Sequence, residues 1–130
     1  TRLMRTIHRE RRLADERQGH LEDLVFNILV SSEDGTLKEG EHFARLPDER
    51  VAVHPEAVAT ALYRAERGRL LRRELRALLE LGWRHEREVV VARSKRVRFD
   101  HEGDRRRCAV LHLPSARKFV GGRSKPVPAR

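Results

Sequence analysis

One run, Arg69-Leu-Leu-Arg-Arg-Glu-Leu-Arg-Ala-Leu-Leu-Glu-Leu81, restricts the fold more than any other part of the chain. Its period is helical. Arg69, Arg72, Arg73 and Arg76 fall at i, i+3, i+4 and i+7, on one face. Leu71, Leu75 and Leu78 take the opposite face, flanked by Leu70, Leu79 and Leu81. Such a helix must lay its leucines on a core and show its guanidinium groups to solvent or to a polyanion. Gly82 follows at the position a left-handed helix cap favours, and predicts the helix end.

Beyond Trp83 the period falls to two. Glu88 to Arg93 is one strand candidate and Arg96 to Asp100 another, with Val97 and Phe99 inward and Arg96 and Arg98 outward. His101 to Asp104 reads as a turn, and Arg107 to Leu113 as the returning strand. Pro114 stops it. Residues 115–130 carry five bases and no acid among Gly121, Gly122, Pro126 and Pro128, the composition of a flexible basic tail.

Upstream, residues 20–30 place Leu21, Leu24, Val25, Ile28 and Leu29 on one helical face, and Ser31 to Gly35 end it. An acidic loop is expected to about Glu49, then a very short strand through Val51 and Val53. Pro55 suits a first helical position, where its missing N–H costs nothing, and Glu56 complements the dipole. That helix reaches about Arg67, burying Val58, Ala61, Leu62 and Ala65, and Gly68 breaks it. Residues 2–18 read as a charged helix, with a narrow stripe of Leu3, Ile7, Ala14 and Leu21. The stripe suits either a homodimer contact or an arm packed on its own domain.

Helix, short strand, helix, tight turn, helix and β-hairpin is the order of a winged helix-turn-helix, an α+β fold. The expected division is an N-terminal helix or arm at 1–19, a winged-helix-like domain at 20–114, and the basic tail at 115–130.

Charge supports a polyanionic partner. The formal net charge is +9 over 130 residues, and it is uneven: +3 in residues 1–18, −6 in 19–60 and +12 in 61–130. A basic half against an acidic middle favours a polyanion approaching from one side. All but four of the 29 basic residues are Arg, a bias genome composition can produce, so placement carries more weight than abundance.

The candidate nucleic-acid-binding residues are therefore Arg69, Arg72, Arg73 and Arg76 on the helix. Arg93, Lys95, Arg96, Arg98, Arg105, Arg106 and Arg107 join them as a positive ridge on the hairpin, with tail phosphate contacts from Arg117, Lys118, Arg123 and Lys125. Against this stand a solvated amphipathic helix, for which Glu80 on the same face argues, and an edge strand protected by charge. Few aromatics interrupt the basic segments, which favours duplex DNA or shape-read RNA over stacked single strands. Trp83 reads as a core or hinge residue.

Other chemistry is thinly marked. Cys108 is the single cysteine, so no internal disulfide can form, and a small buried hydrophobe is its simplest role. Cys108 and His112, with His85 and His101 nearby in sequence, lack the paired spacing of a zinc site. Pro47-Asp48 lacks the rest of a nuclease carboxylate motif, and Gly121 to Lys125 lacks the spacing and setting of a phosphate loop. Ser31 and Ser32 lack a glycine-flanked nucleophile turn. No metal, cofactor or catalytic residue is expected. No stretch reaches the roughly 18–20 apolar residues of a membrane span, and a cytoplasmic protein is expected.

The reading is a non-catalytic duplex-DNA binder with a role in transcription regulation, replication or plasmid maintenance. An RNA- or ribosome-associated basic protein, a protein–protein interaction module and a carboxylate nuclease using Asp34 or Asp48 are the alternatives.

Overall fold

The computed structural model describes residues 19–67, 72–99 and 105–121. Residues 1–18 of the predicted arm, the break at Gly68, Arg69 with Leu70 and Leu71, Asp100 with the turn at 101–104, and the last nine residues lie outside the described residues.

Helix α1 covers 19–34 and buries Leu21, Leu24, Val25, Ile28 and Leu29, the expected stripe. It runs past the predicted stop at Ser31, because Ser31 is itself buried and Ser32 Oγ donates back to the Leu29 carbonyl at 2.8 Å. Gly35, at φ +89°, makes the exit that an L side chain resists. A strand then appears inside the predicted acidic loop: β1, Phe43–Leu46. With only four residues and one large buried apolar group, Phe43, it leaves almost no periodic signal. A three-residue turn with Asp48 and Glu49 at positive φ joins it to β2, Arg50–Val53.

Helix α2, Pro55–Arg64, begins as predicted, with Pro55 in its first turn and His54 Nδ1 accepting from the Ala57 N–H at 3.2 Å. It buries Val58, Ala59 and Leu62, while Ala61 is partly exposed and Ala65 exposed, one step round from the predicted face.

Helix α3, Arg72–His85, buries Leu75, Leu78, Leu79 and Gly82, at i, i+3, i+4 and i+7. Gly82 is therefore not the predicted cap; the helix continues one turn beyond it. A Cβ there would stand 2.6 Å from Val90 Cγ2 and 3.3 Å from Leu21 Cδ2. The glycine serves close approach of α3 to its neighbours rather than chain reversal.

The two strand candidates before the turn are one strand, β3, Val90–Arg98, interrupted by register shifts between Val90 and Lys95. Its partner is β4, Arg105–His112. All neighbours are antiparallel, in the order β1-β2-β4-β3. In central β4 the unbroken run Cys108-Ala-Val-Leu111 is buried on both faces, as a doubly covered strand should be. Ala109 and Leu111, with Phe43, Val51 and Val53, meet the helices in the main core. Cys108 and Val110 turn to the other face, with Ala44, Ala52, Val97 and Phe99. Val97 and Phe99 are thus buried as expected, but on the face away from the helices. Desolvation pushes the Cys108 thiol up to about 11, consistent with its reading as a small buried hydrophobe.

The predicted flexible tail at 115–130 needs correction at its start. Leu113–Val120 is a helix, α4, with Ala116 and Val120 buried and Leu113 and Phe119 packed against the core. Pro114 does stop the strand, but a proline in a first turn also starts a helix. Among the described residues the architecture is four helices and a four-stranded antiparallel sheet, mixed α+β. No helix among them is long and apolar enough to cross a membrane.

A polar knot ties α1 to the end of α2. Arg67 Nη1 donates to Ser31 Oγ at 2.9 Å and pairs with Asp34, and the Arg67 carbonyl accepts from Asn27 Nδ2 at 2.9 Å. The Thr36 backbone N–H, then its side chain, and then Arg67 hold the Asp34 carboxyl below its ordinary range against modest desolvation. A folded-state pKa below the unfolded one stabilises above the unfolded value, about 3.9, and is lost as pH falls through the folded value. Asp34→Asn is accordingly expected to lower stability at neutral pH and to flatten the loss below about pH 4 in acid titrations of the melting temperature.

Candidate nucleic-acid interface

Burial of the leucine face leaves Arg72, Arg73 and Arg76 exposed on α3. Arg76 reaches across to α2, where its Nη2 meets Glu56 Oε1 at 2.6 Å. Both side chains are solvent-exposed, so the pair contributes at most about 1 kcal/mol and can exchange for another anion.

The hairpin is organised by its register. Arg96 stands opposite Arg107, and Arg98 opposite Arg105. Strand alternation puts these four on the same face as Ala109 and Leu111, the helix side of the sheet. Directly opposed like charges destabilise an antiparallel pair. Here two such pairs follow one another, and none of the four forms an ion pair among the described residues.

The predicted ridge therefore splits between two faces. Lys95 pairs with Cys108, and Arg106 with Val97, so Lys95 and Arg106 belong to the opposite face. Arg106 also stacks over the Phe99 ring at 5.1 Å and donates to the Glu41 carbonyl at 2.8 Å. The bond to Glu41 ties the 39–43 segment to the hairpin.

Between α3 and the hairpin runs a groove of about 320 Å³, floored by Pro55 and Leu79 and edged by Arg76, Arg93 and Arg107. Glu80 lies in it and takes both Arg93 and Arg84 at 3.2 Å. The acid that counted against the basic helix is thus occupied by two guanidinium groups. Trp83 is half-buried beside them, with Arg93 at 4.6 Å and Arg87 at 5.0 Å from its ring centre. These cation–π contacts hold Arg93 at the groove edge, a role beyond the core or hinge reading.

The groove brings together Arg76 of α3 with Arg93 and Arg107 of the hairpin, and the remaining ladder arginines share its side of the sheet. Among the described residues, none of the predicted tail lines it. Arg117 and Lys118 are exposed on α4, and Arg117 lines a separate groove with Arg45 and Arg50. Arg69, Arg123 and Lys125 lie outside the described residues. Sequence reasoning missed Arg84 and Arg87, and it missed the face-to-face ladder. Two-residue spacings at Arg96/Arg98 and Arg105/Arg107 were its only trace.

The weaker alternatives find little geometry. Among the described residues no group of three or more His, Cys, Asp and Glu comes together. His112 Nδ1 lies 2.7 Å from Ser115 Oγ at the start of α4, a local pairing within one helical turn. Asp34 is engaged by Arg67, and Asp48 sits in the β1–β2 turn. Compared with known proteins, the chain matches no family model, no curated protein and no solved structure.

Proposed function

We propose that the chain is a non-catalytic nucleic-acid-binding protein that grips duplex DNA between α3 and the β3–β4 hairpin, in the manner of a winged helix. One observation carries the reading: four arginines in two opposed pairs face the same side of the sheet as the basic helix. That arrangement costs stability in the free protein and is relieved when phosphates lie between the strands' side chains. The element order supports it further. β2, α2, α3, β3 and β4 follow one another, with β2 and β3 on either side of β4, as a helix-turn-helix with a wing requires. α3 is then the reading helix, and the ladder a phosphate clamp. Control of transcription, or a replication or plasmid role, would use such a device.

Fluorescence anisotropy of random duplex DNA and of a matched structured RNA, across a salt series, tests the proposal. For duplex the expected log–log slope is about −4 to −6, roughly five or six phosphates at 0.9 each. Tighter binding to the RNA would move the assignment to an RNA-associated protein, and no binding to either would leave a protein partner. Replacing Arg72, Arg73 and Arg76 together by alanine should leave the circular dichroism and melting temperature nearly unchanged. It should weaken duplex binding by about 1–3 kcal/mol for each residue that contacts a base.

A further inference from the structure

A second recess, about 770 Å³ and open to solvent, lies between α2, the first turn of α3 and the loop leading from α1 to β1. The Arg76–Glu56 ion pair gives one partner to each recess: Arg76 to the groove beside the hairpin, Glu56 to this one. Arg72 lines the second recess from the exposed face of α3, so the two basic surfaces are continuous.

The lining is rich in N–H donors. Lys38, Arg64 and Arg72 contribute three cations, beside an Arg106 already donating to the Glu41 carbonyl, against the carboxylates of Glu41 and Glu56, and Arg76 already engages Glu56. Two imidazoles complete it, and both are held in one tautomer. His42 Nδ1 accepts from the Lys38 N–H at 2.9 Å, and His54 Nδ1 accepts from the Ala57 N–H at 3.2 Å. A neutral ring whose Nδ1 accepts carries its proton on Nε2, which fixes the tautomer of each, and the His42 ring adds an N–H donor to the lining. The apolar lining is limited to Ala57, Ala61 and Ala65, with no broad plate on which a base could stack. Such a surface suits tetrahedral oxyanions and offers little to a nucleobase.

We propose that this recess seats backbone phosphate of the same duplex, next to the stretch held by α3. The inference rests on the nucleic-acid reading above. It extends the footprint from the α3–hairpin groove across the face of α2. Free phosphate compounds present the same chemistry, but the openness of the recess and its continuity through Arg72 favour a polymer running over it.

The test is the Lys38→Ala/Arg64→Ala double variant; both residues are exposed and lie outside the α3–hairpin groove. Its duplex-binding salt slope should be shallower than that of the unaltered protein by about 1.8, at roughly 0.9 per lost phosphate. Its melting temperature should not move, and Lys38→Arg/Arg64→Lys should restore the slope. An unchanged slope, with the unaltered protein still binding duplex, overturns this inference and leaves the α3–hairpin reading standing. Failure of the unaltered protein to bind any duplex overturns both. Inorganic pyrophosphate is added in parallel, with the His42 and His54 side-chain signals followed by NMR. Saturable shifts there, combined with an unchanged duplex slope, would identify a free-phosphate seat and refute the backbone assignment.

Discussion

Reversing Arg96 and Arg98 to glutamate is expected to raise the stability of the free protein while removing most of its affinity for duplex DNA. The two effects share one cause. In the native register Arg96 faces Arg107 and Arg98 faces Arg105, so each substitution converts a repelling cross-strand pair into an attracting one. Pairs of this kind are worth roughly 0.2–1 kcal/mol each, and the change from like to unlike charge should total about 1–2 kcal/mol. A gain of several degrees in melting temperature follows for a domain of this size. Binding moves the other way. On the proposed function two phosphate contacts should be lost, flattening the salt slope by about 1.8, and two new carboxylates should repel the backbone. Thermal melts and anisotropy on one sample separate this account from its rival. A charge pattern kept only to protect an edge strand would be insensitive to duplex. Stabilisation without loss of binding would place the nucleic acid elsewhere.

Gly82→Ala should destabilise the fold although alanine is the better helix former. The added Cβ would meet Val90 Cγ2 at 2.6 Å, and Val90 is fully buried with a stiff, β-branched side chain. Overpacking of this sort costs about 1–3 kcal/mol, against roughly 1 kcal/mol returned by helix propensity. Gly82→Leu should reach or exceed the upper end of that range. The cause can be isolated in a cycle. With Val90 cut to alanine the obstructing methyl is gone, and adding Gly82→Ala should then be neutral or stabilising by up to about 1 kcal/mol. Chemical denaturation of the four proteins measures the coupling. Strict additivity would mean that the close approach of α3 to β3 is not what the glycine serves.

Both predictions turn on relations between segments, and there the sequence was least legible. The helical face of α3, the start of α2 at Pro55 and the apolar stripe of α1 were open to reading because each is a local period with a local signal. Gly82 was misread because a cap and a close approach demand the same residue; only the positions of Val90 and Leu21 distinguish them. β1 was hidden by its length, and α4 by a proline that can end a strand or open a helix. The candidate site followed the same rule. Exposure of Arg72, Arg73 and Arg76 was implied by the leucines behind them. Which hairpin arginines share a face was not, because that depends on register across a turn and on irregularities within β3. Lys95 and Arg106, counted with the ridge, fall on the other side for that reason.

An NMR titration with duplex DNA, following the Nε–H signals of the arginine side chains, would show whether α3 and the hairpin grip the duplex. The largest shifts are expected at Arg72, Arg73, Arg76, Arg93, Arg96, Arg98, Arg105 and Arg107. Arg45 and Arg50, beside α4, should stay in place until excess duplex is present. Shifts centred on Arg45, Arg50 and Arg117, with the α3 and ladder signals unmoved, would contradict that grip.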